Sequence, residues 1–154
     1  MRFTELDREP FPIEVNEENI ALAKEFLFAK WVERHNEREE ENRKLAGTIW
    51  YRSVPTDLSD SCKFSALFSS VVFGGEIAGN YDHVFTLVDD EVLDLNEDAA
   101  DVAALDDPHD DDDDFIYSGD FKESISSCIP RVRNWIADFA AELDLRAGSQ
   151  VKMI

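Results

Sequence analysis

Cys62, His83 and Asp94 are the residues of this chain whose types and spacing suit covalent chemistry. Cys62 opens an apolar run, Cys62-Lys-Phe-Ser-Ala-Leu-Phe-Ser-Ser-Val-Val-Phe73, that reads as a helix. A thiol at a helix start meets the positive end of the macrodipole and free backbone N–H groups, and both favour thiolate. The same N–H groups can hold an oxyanion during acyl transfer. His83 opens one arm of a predicted hairpin, and Asp94 lies on the other. A base oriented by a third group is the general logic of a catalytic triad. The expected roles are Cys62 as nucleophile, His83 as general base and later acid, and Asp94 as the orienting group. Asn96 is the alternative orienting group, and Ser61 and Asp57 are candidate supports on the oxyanion side. Each residue also has a plainer reading. A free Cys often only packs, a His leading a strand makes a structural hydrogen bond, and an Asp ending one makes a turn bond. Cys128 also follows a serine but has no His–acid hairpin beside it in sequence, so it is expected in the core.

These three residues need elements to position them. Residues 1–15 read as an irregular lead-in, with Pro10 and Pro12 blocking regular structure. A long helix is predicted from Asn16 to Lys44, capped by Asn16, with Ile20, Ala23, Leu27 and Trp31 as its buried stripe. Its second half, from Glu33, is almost wholly charged. Gly47 should end it, followed by a strand over Thr48–Val54 and a turn over Pro55–Asp60. The Cys62 helix is expected over Ser61–Phe73, capped by Ser59 or Asp60 and closed by Gly74-Gly75. A short strand is expected within Glu76–Asp82. The hairpin pairs His83–Val88 with Glu91–Leu95 about Asp89-Asp90. A two-residue turn there would set Val88 against Glu91 and His83 against Asn96, with Asp94 diagonal to His83. A one-residue slip would send Asp94 to the other face. A short helix is expected within Glu97–Leu105. Asp120 to Glu123 resembles a capping box for a helix that restarts at Pro130 and buries Val132, Trp135 or Ile136, Phe139 and Leu143. Residues 146–154 read as a tail.

The 154 residues carry a net charge of -20, unevenly spread. Residues 64–121 hold 17 of the 35 acids and no Lys or Arg. Such a field has the wrong sign for nucleic acid phosphates, so nucleic acid is not an expected partner. No run reaches the ~20 apolar residues of a membrane helix, and the first residues lack an apolar signal core. Membrane association is therefore not expected either. Two cysteines make no disulfide framework, which points to a reduced, cytoplasmic protein. Residues 106–119 form an acidic loop, with Asp106-Asp-Pro-His-Asp-Asp-Asp-Asp-Asp114 at its heart. Self-repulsion is expected to hold it open and solvated. A cation site and a docking surface for a basic partner are the other readings. The spacing matches no EF-hand, and His109 suits hard ions poorly. Phosphate-binding loops, paired-Cys zinc spacing and a Gly-x-Ser-x-Gly elbow are all missing from the sequence. Neither a cofactor nor a metal site is expected.

The string Cys62-x-x-Ser65-Ala66-Leu67, Phe73-Gly74-Gly75-x-Ile77, His83 and Asp94-Leu95-Asn96 resembles small bacterial proteins of the papain/transglutaminase-like superfamily, the YunG-like group in particular. The resemblance implies a Cys-His-Asp core with Cys on a helix and His and Asp on adjacent antiparallel strands. The sequence departs from the pattern in three places. Its single Gln, Gln150, is far from Cys62, where such enzymes carry one shortly before the Cys. His83 is followed by Val, and Asn96 stands where the group closes with Thr.

The expected fold is α+β and papain/transglutaminase-like: a Cys-bearing helix on a small antiparallel sheet, flanked by N- and C-terminal helices in one domain. The expected function is a thiol hydrolase or acyl transferase acting on a peptide or small amide or thioester substrate, a basic one for preference. The alternative is an inactive binding or inhibitory module that uses its acidic surface against a basic partner.

Overall fold

The computed structural model describes residues 1–46 and 53–152. The first helix, α1, runs Glu17–Ala46. Asn16 caps it: its Oδ1 accepts the Asn19 N–H at 2.8 Å. Ala23, Leu27 and Trp31 are buried, with Ile20 packed beside them, so the predicted stripe is the face that α1 turns inward. Its charged half is mostly exposed, but Arg34 lies over the rings of Trp31 and Phe64 at 4.7 and 4.8 Å. The expected strand over Thr48–Val54 lies largely outside the described residues, and Ser53 and Val54 are not in a strand.

The second helix, α2, spans Cys62–Val72. Neither Ser59 nor Asp60 caps it. Ser61 holds the cap position and its side chain makes no capping bond. Eight consecutive residues of α2, Ser65 to Val72, are buried, as befits a helix enclosed on all sides. The Gly74-Gly75 pair ends it for two separate reasons. Gly74 takes φ +76°, which a side chain resists. This lets the Gly75 N–H reach back to Ser70 O at 3.0 Å, the six-to-one bond of a Schellman cap. Gly75 then passes so close to the next sheet strand that a Cβ would lie 2.6 Å from Leu87 O.

Three antiparallel strands follow in the order β1 (Glu76–Gly79), β2 (Val84–Val88) and β3 (Glu91–Leu93). Val88 faces Glu91 and Thr86 faces Leu93, as the two-residue turn required. Asp89 and Asp90 both have positive φ, 51° and 64°, the signature of a type I′ turn. Thr86 Oγ1 donates to Ala66 O at 3.2 Å and ties β2 to α2. Four helices complete the chain: α3 (Ala100–Ala103), α4 (Asp113–Ile116), α5 (Gly119–Ser126) and α6 (Ile129–Lys152). The cap of α5 is Ser118, whose Oγ accepts the Phe121 N–H, rather than Asp120. The expected tail from Arg146 is instead helical as far as Lys152, because no Pro or capping Gly interrupts the backbone of α6.

The class is therefore α+β. α2 lies at the centre, with the sheet against one side and α6 against the other, and α1 packs on α6. Phe139 of α6 is fully buried, with its ring centroid 5.9 Å from Phe11, 4.8 Å from Phe26 and 5.4 Å from Phe68. No helix among the described residues is long and apolar enough to cross a membrane. Phe139→Ala should lower unfolding stability by about 3–5 kcal/mol, since the site is too enclosed to collapse. Urea denaturation checks this, and a loss below about 1 kcal/mol would contradict the packing described.

Candidate active site

Three segments meet at the N-terminal end of α2. Cys62 is the first residue of α2 and is partly exposed. His83 immediately precedes β2 and Asp94 immediately follows β3. The hairpin register brings these two together: His83 Nε2 lies 2.7 Å from Asp94 Oδ2. The Cys62 thiol stands close enough to the imidazole to act on its charge. Both side chains of the His–Asp pair are buried, at 2% and 3% exposure, so their interaction is poorly screened by water.

The electrostatics follow from this burial. Desolvation alone would pull the His83 pKa down, but the Asp94 carboxylate and the Cys62 sulfur outweigh it and raise it to about 9. For Asp94, burial pushes the pKa up, and the hydrogen bonds from His83 and His109 reverse this and hold it below the usual carboxylate value. Asp94 Oδ1 is also engaged, accepting the Asn96 N–H at 2.9 Å. Burial pushes the Cys128 thiol up, and that residue is in the core as expected.

The three supporting candidates are committed elsewhere. Ser61 is fully buried; its Oγ donates to Leu58 O at 2.6 Å and meets Ser65 Oγ at 2.9 Å. Asn96 is also fully buried. Its Nδ2 donates to Leu58 O at 3.2 Å and to Ser61 Oγ at 3.1 Å. This braces the residue before Cys62 against the segment after Asp94. Asp57 accepts the N–H groups of Ser59 and Ala100, both at 2.9 Å, and so organises the turn ahead of α2.

The acidic loop is not open, contrary to expectation. The N–H of Asp112 donates to Gly79 O at 2.8 Å, Asn80 Nδ2 donates to Asp110 O at 2.7 Å, and α4 buries Ile116. The free edge of β1 needs hydrogen-bond partners, and the loop supplies them against its own charge repulsion. This places His109, 15 residues from Asp94 in sequence, with Nε2 at 2.9 Å from Asp94 Oδ2. Its ring also stands edge-on to Phe85, with centroids 5.0 Å apart. Sequence reasoning missed His109. Its one signal, an imidazole inside an aspartate run, says nothing about a partner on another strand. His83, Asp94 and His109 present ligand atoms within 4.8 Å of one another, a set that could hold a metal ion.

A raised imidazole pKa means that the fold stabilises the protonated ring more than the neutral one. Its contribution is complete below about pH 6.5 and is lost as pH rises through about 9. The His83 ring resonances should therefore titrate near 9 by NMR, and Asp94→Asn should return them towards 6.5. An unchanged midpoint in that variant would contradict the assigned cause.

No family model, curated protein or solved structure matches the chain.

Proposed function

We propose that the protein is a thiol hydrolase or acyl transferase with Cys62 as nucleophile, His83 as acid and base, and Asp94 as the orienting group. One observation carries this reading: Asp94 holds His83 Nε2 at 2.7 Å in a buried pair that lies beside Cys62 at the start of α2. At neutral pH a ring with its pKa near 9 is an imidazolium. An imidazolium next to a sulfur is the pairing that cysteine nucleophiles use.

The chemistry then has two halves. The Cys62 sulfur attacks the carbonyl carbon of an amide or thioester, and the carbonyl π electrons move to oxygen. The first-turn N–H groups of α2, left without a side-chain cap, face the same end of the helix as the sulfur. They can answer the developing oxyanion in place of a glutamine side chain. The tetrahedral intermediate collapses, the carbon–nitrogen or carbon–sulfur bond breaks, and His83 gives its proton to the leaving group. Neutral His83 next takes a proton from water or from an acceptor amine, which attacks the thioester and frees Cys62. Asp94 steadies the imidazolium at each stage without itself being protonated.

The papain/transglutaminase-like resemblance supports this reading because it requires Cys at a helix start and His and Asp on adjacent antiparallel strands. The free cysteines suit a reduced compartment such as the cytoplasm. A basic peptide or small amide suits the field of residues 64–121, which would draw cations to the site.

Iodoacetamide at pH 7 should label Cys62 roughly 10²-fold faster than Cys128, and His83→Ala should remove most of that advantage. Cys62→Ser should abolish any amide or thioester turnover. If Cys62 labels no faster than Cys128, the catalytic reading is lost. Salt-sensitive binding of a basic partner that survives Cys62→Ala would then favour the binding-module alternative.

A further inference from the structure

We propose that His83, Asp94 and His109 form a transition-metal site of the zinc class, and that an ion bound there switches the Cys62 thiol chemistry off. The three side chains come from three separate stretches of chain: the start of β2, the end of β3 and the acidic loop. They converge on one point. Both imidazole Nε2 atoms address the same carboxylate oxygen, at 2.7 and 2.9 Å, and all three ligand atoms lie within 4.8 Å of one another.

The spacing suits a small divalent ion. Zinc takes imidazole nitrogen at about 2.0–2.1 Å and carboxylate oxygen at about 2.0–2.2 Å, so neighbouring tetrahedral ligands lie roughly 3.3 Å apart. Reaching that spacing asks the two hydrogen bonds, at 2.7 and 2.9 Å, to open slightly and ligand atoms now up to 4.8 Å apart to draw together, a movement open to the partly exposed His109 ring. Two imidazoles and one carboxylate are a borderline donor set, suited to zinc and its transition-metal neighbours and unsuited to calcium or magnesium. Three protein ligands leave a fourth position open for solvent.

An outer contact already holds one of the ligands. Asp94 Oδ1 is fixed by the Asn96 N–H. Metal-ligating carboxylates and imidazoles are held by such contacts. His109 supplies the way in: its side chain is 27% exposed, against 2% and 3% for the other two. Asp106, Asp107, Asp110 and Asp111 flank it in sequence and raise the local cation concentration.

The consequence for the thiol follows from the ring. Ligation takes the lone pair of His83 Nε2 and leaves the proton on Nδ1. The ring facing Cys62 can then donate a hydrogen bond but cannot accept a proton. This inhibitory step rests on the thiol-hydrolase reading, whereas the ion site itself does not.

The test is calorimetric titration of the chelator-treated 154-residue chain with Zn²⁺ alone, with Ca²⁺ as a second arm. Wild type, His109→Ala and Cys62→Ser are compared after each has been checked for folding by thermal melting. One Zn²⁺ should bind per chain, His109→Ala should weaken binding by at least about 100-fold, the upper end of what loss of an outer-shell partner costs, and Cys62→Ser should retain it. Zn²⁺ should also slow iodoacetamide labelling of Cys62 in wild type and leave His109→Ala unaffected. Three results would overturn the site: no binding of Zn²⁺, binding unchanged in His109→Ala, or binding lost in Cys62→Ser, which would put the ion on the thiol. Calcium bound equally well would assign the affinity to the acidic loop alone and overturn it too. A site confirmed by calorimetry beside an unreactive Cys62 would retain the metal and reject the hydrolase.

Discussion

Burying a carboxylate costs several kcal/mol unless hydrogen-bond donors replace its water. Asp94, at 3% exposure, meets that demand with three donors: the rings of His83 and His109 on one oxygen and the Asn96 N–H on the other. Each donor belongs to a different part of the chain. Satisfying one side chain therefore fixes the start of β2, the exit of β3 and the fold of the acidic loop together. Asn96 extends the brace to Leu58 and Ser61, so the entry to the Cys62 helix is tied to the same centre. A charge buried this way forces the segments around it into one arrangement, since any other leaves the carboxylate unpaired.

The hairpin and α2 act as the rigid frame for that centre. The type I′ turn at Asp89-Asp90 fixes the register, and the register alone decides which face Asp94 occupies. The enclosed α2 cannot slide, because Gly75 lies tightly against β2 and Thr86 donates to its backbone. Cys62 thus sits at the exposed end of an otherwise buried helix, the one place on it where a sulfur can be both held and reached.

The acidic segment links the site to its charge. Although 17 acids lie between residues 64 and 121 with no base among them, their repulsion does not unfold the loop. The edge of β1 and the buried Ile116 offer more than solvation does. The His109 ring carried by that loop makes the acidic segment part of the site rather than a solvated appendage.

Local chemistry made much of this legible in the sequence. The Asn16 cap, the Ile20–Trp31 stripe, the Gly74-Gly75 stop and the Asp89-Asp90 turn depend on residues within a few positions of one another, and so can be read from their order. The same hairpin points to His83 and Asp94, and the start of the apolar helix points to Cys62. Ser61 and Asp57 lie near Cys62 in sequence and Asn96 stands opposite His83 in the expected register, but the structure commits them to the turn before α2 and the brace across it. The folding of the acidic loop and the approach of His109 to Asp94 were beyond sequence. The sequence by itself determined the helices, the turns and the identity of the chemical groups, because those follow from short-range backbone and side-chain preferences. Only the tertiary structure decided which groups share one buried carboxylate, because that pairing is set by the energy of desolvating a charge, and no spacing along a chain records it.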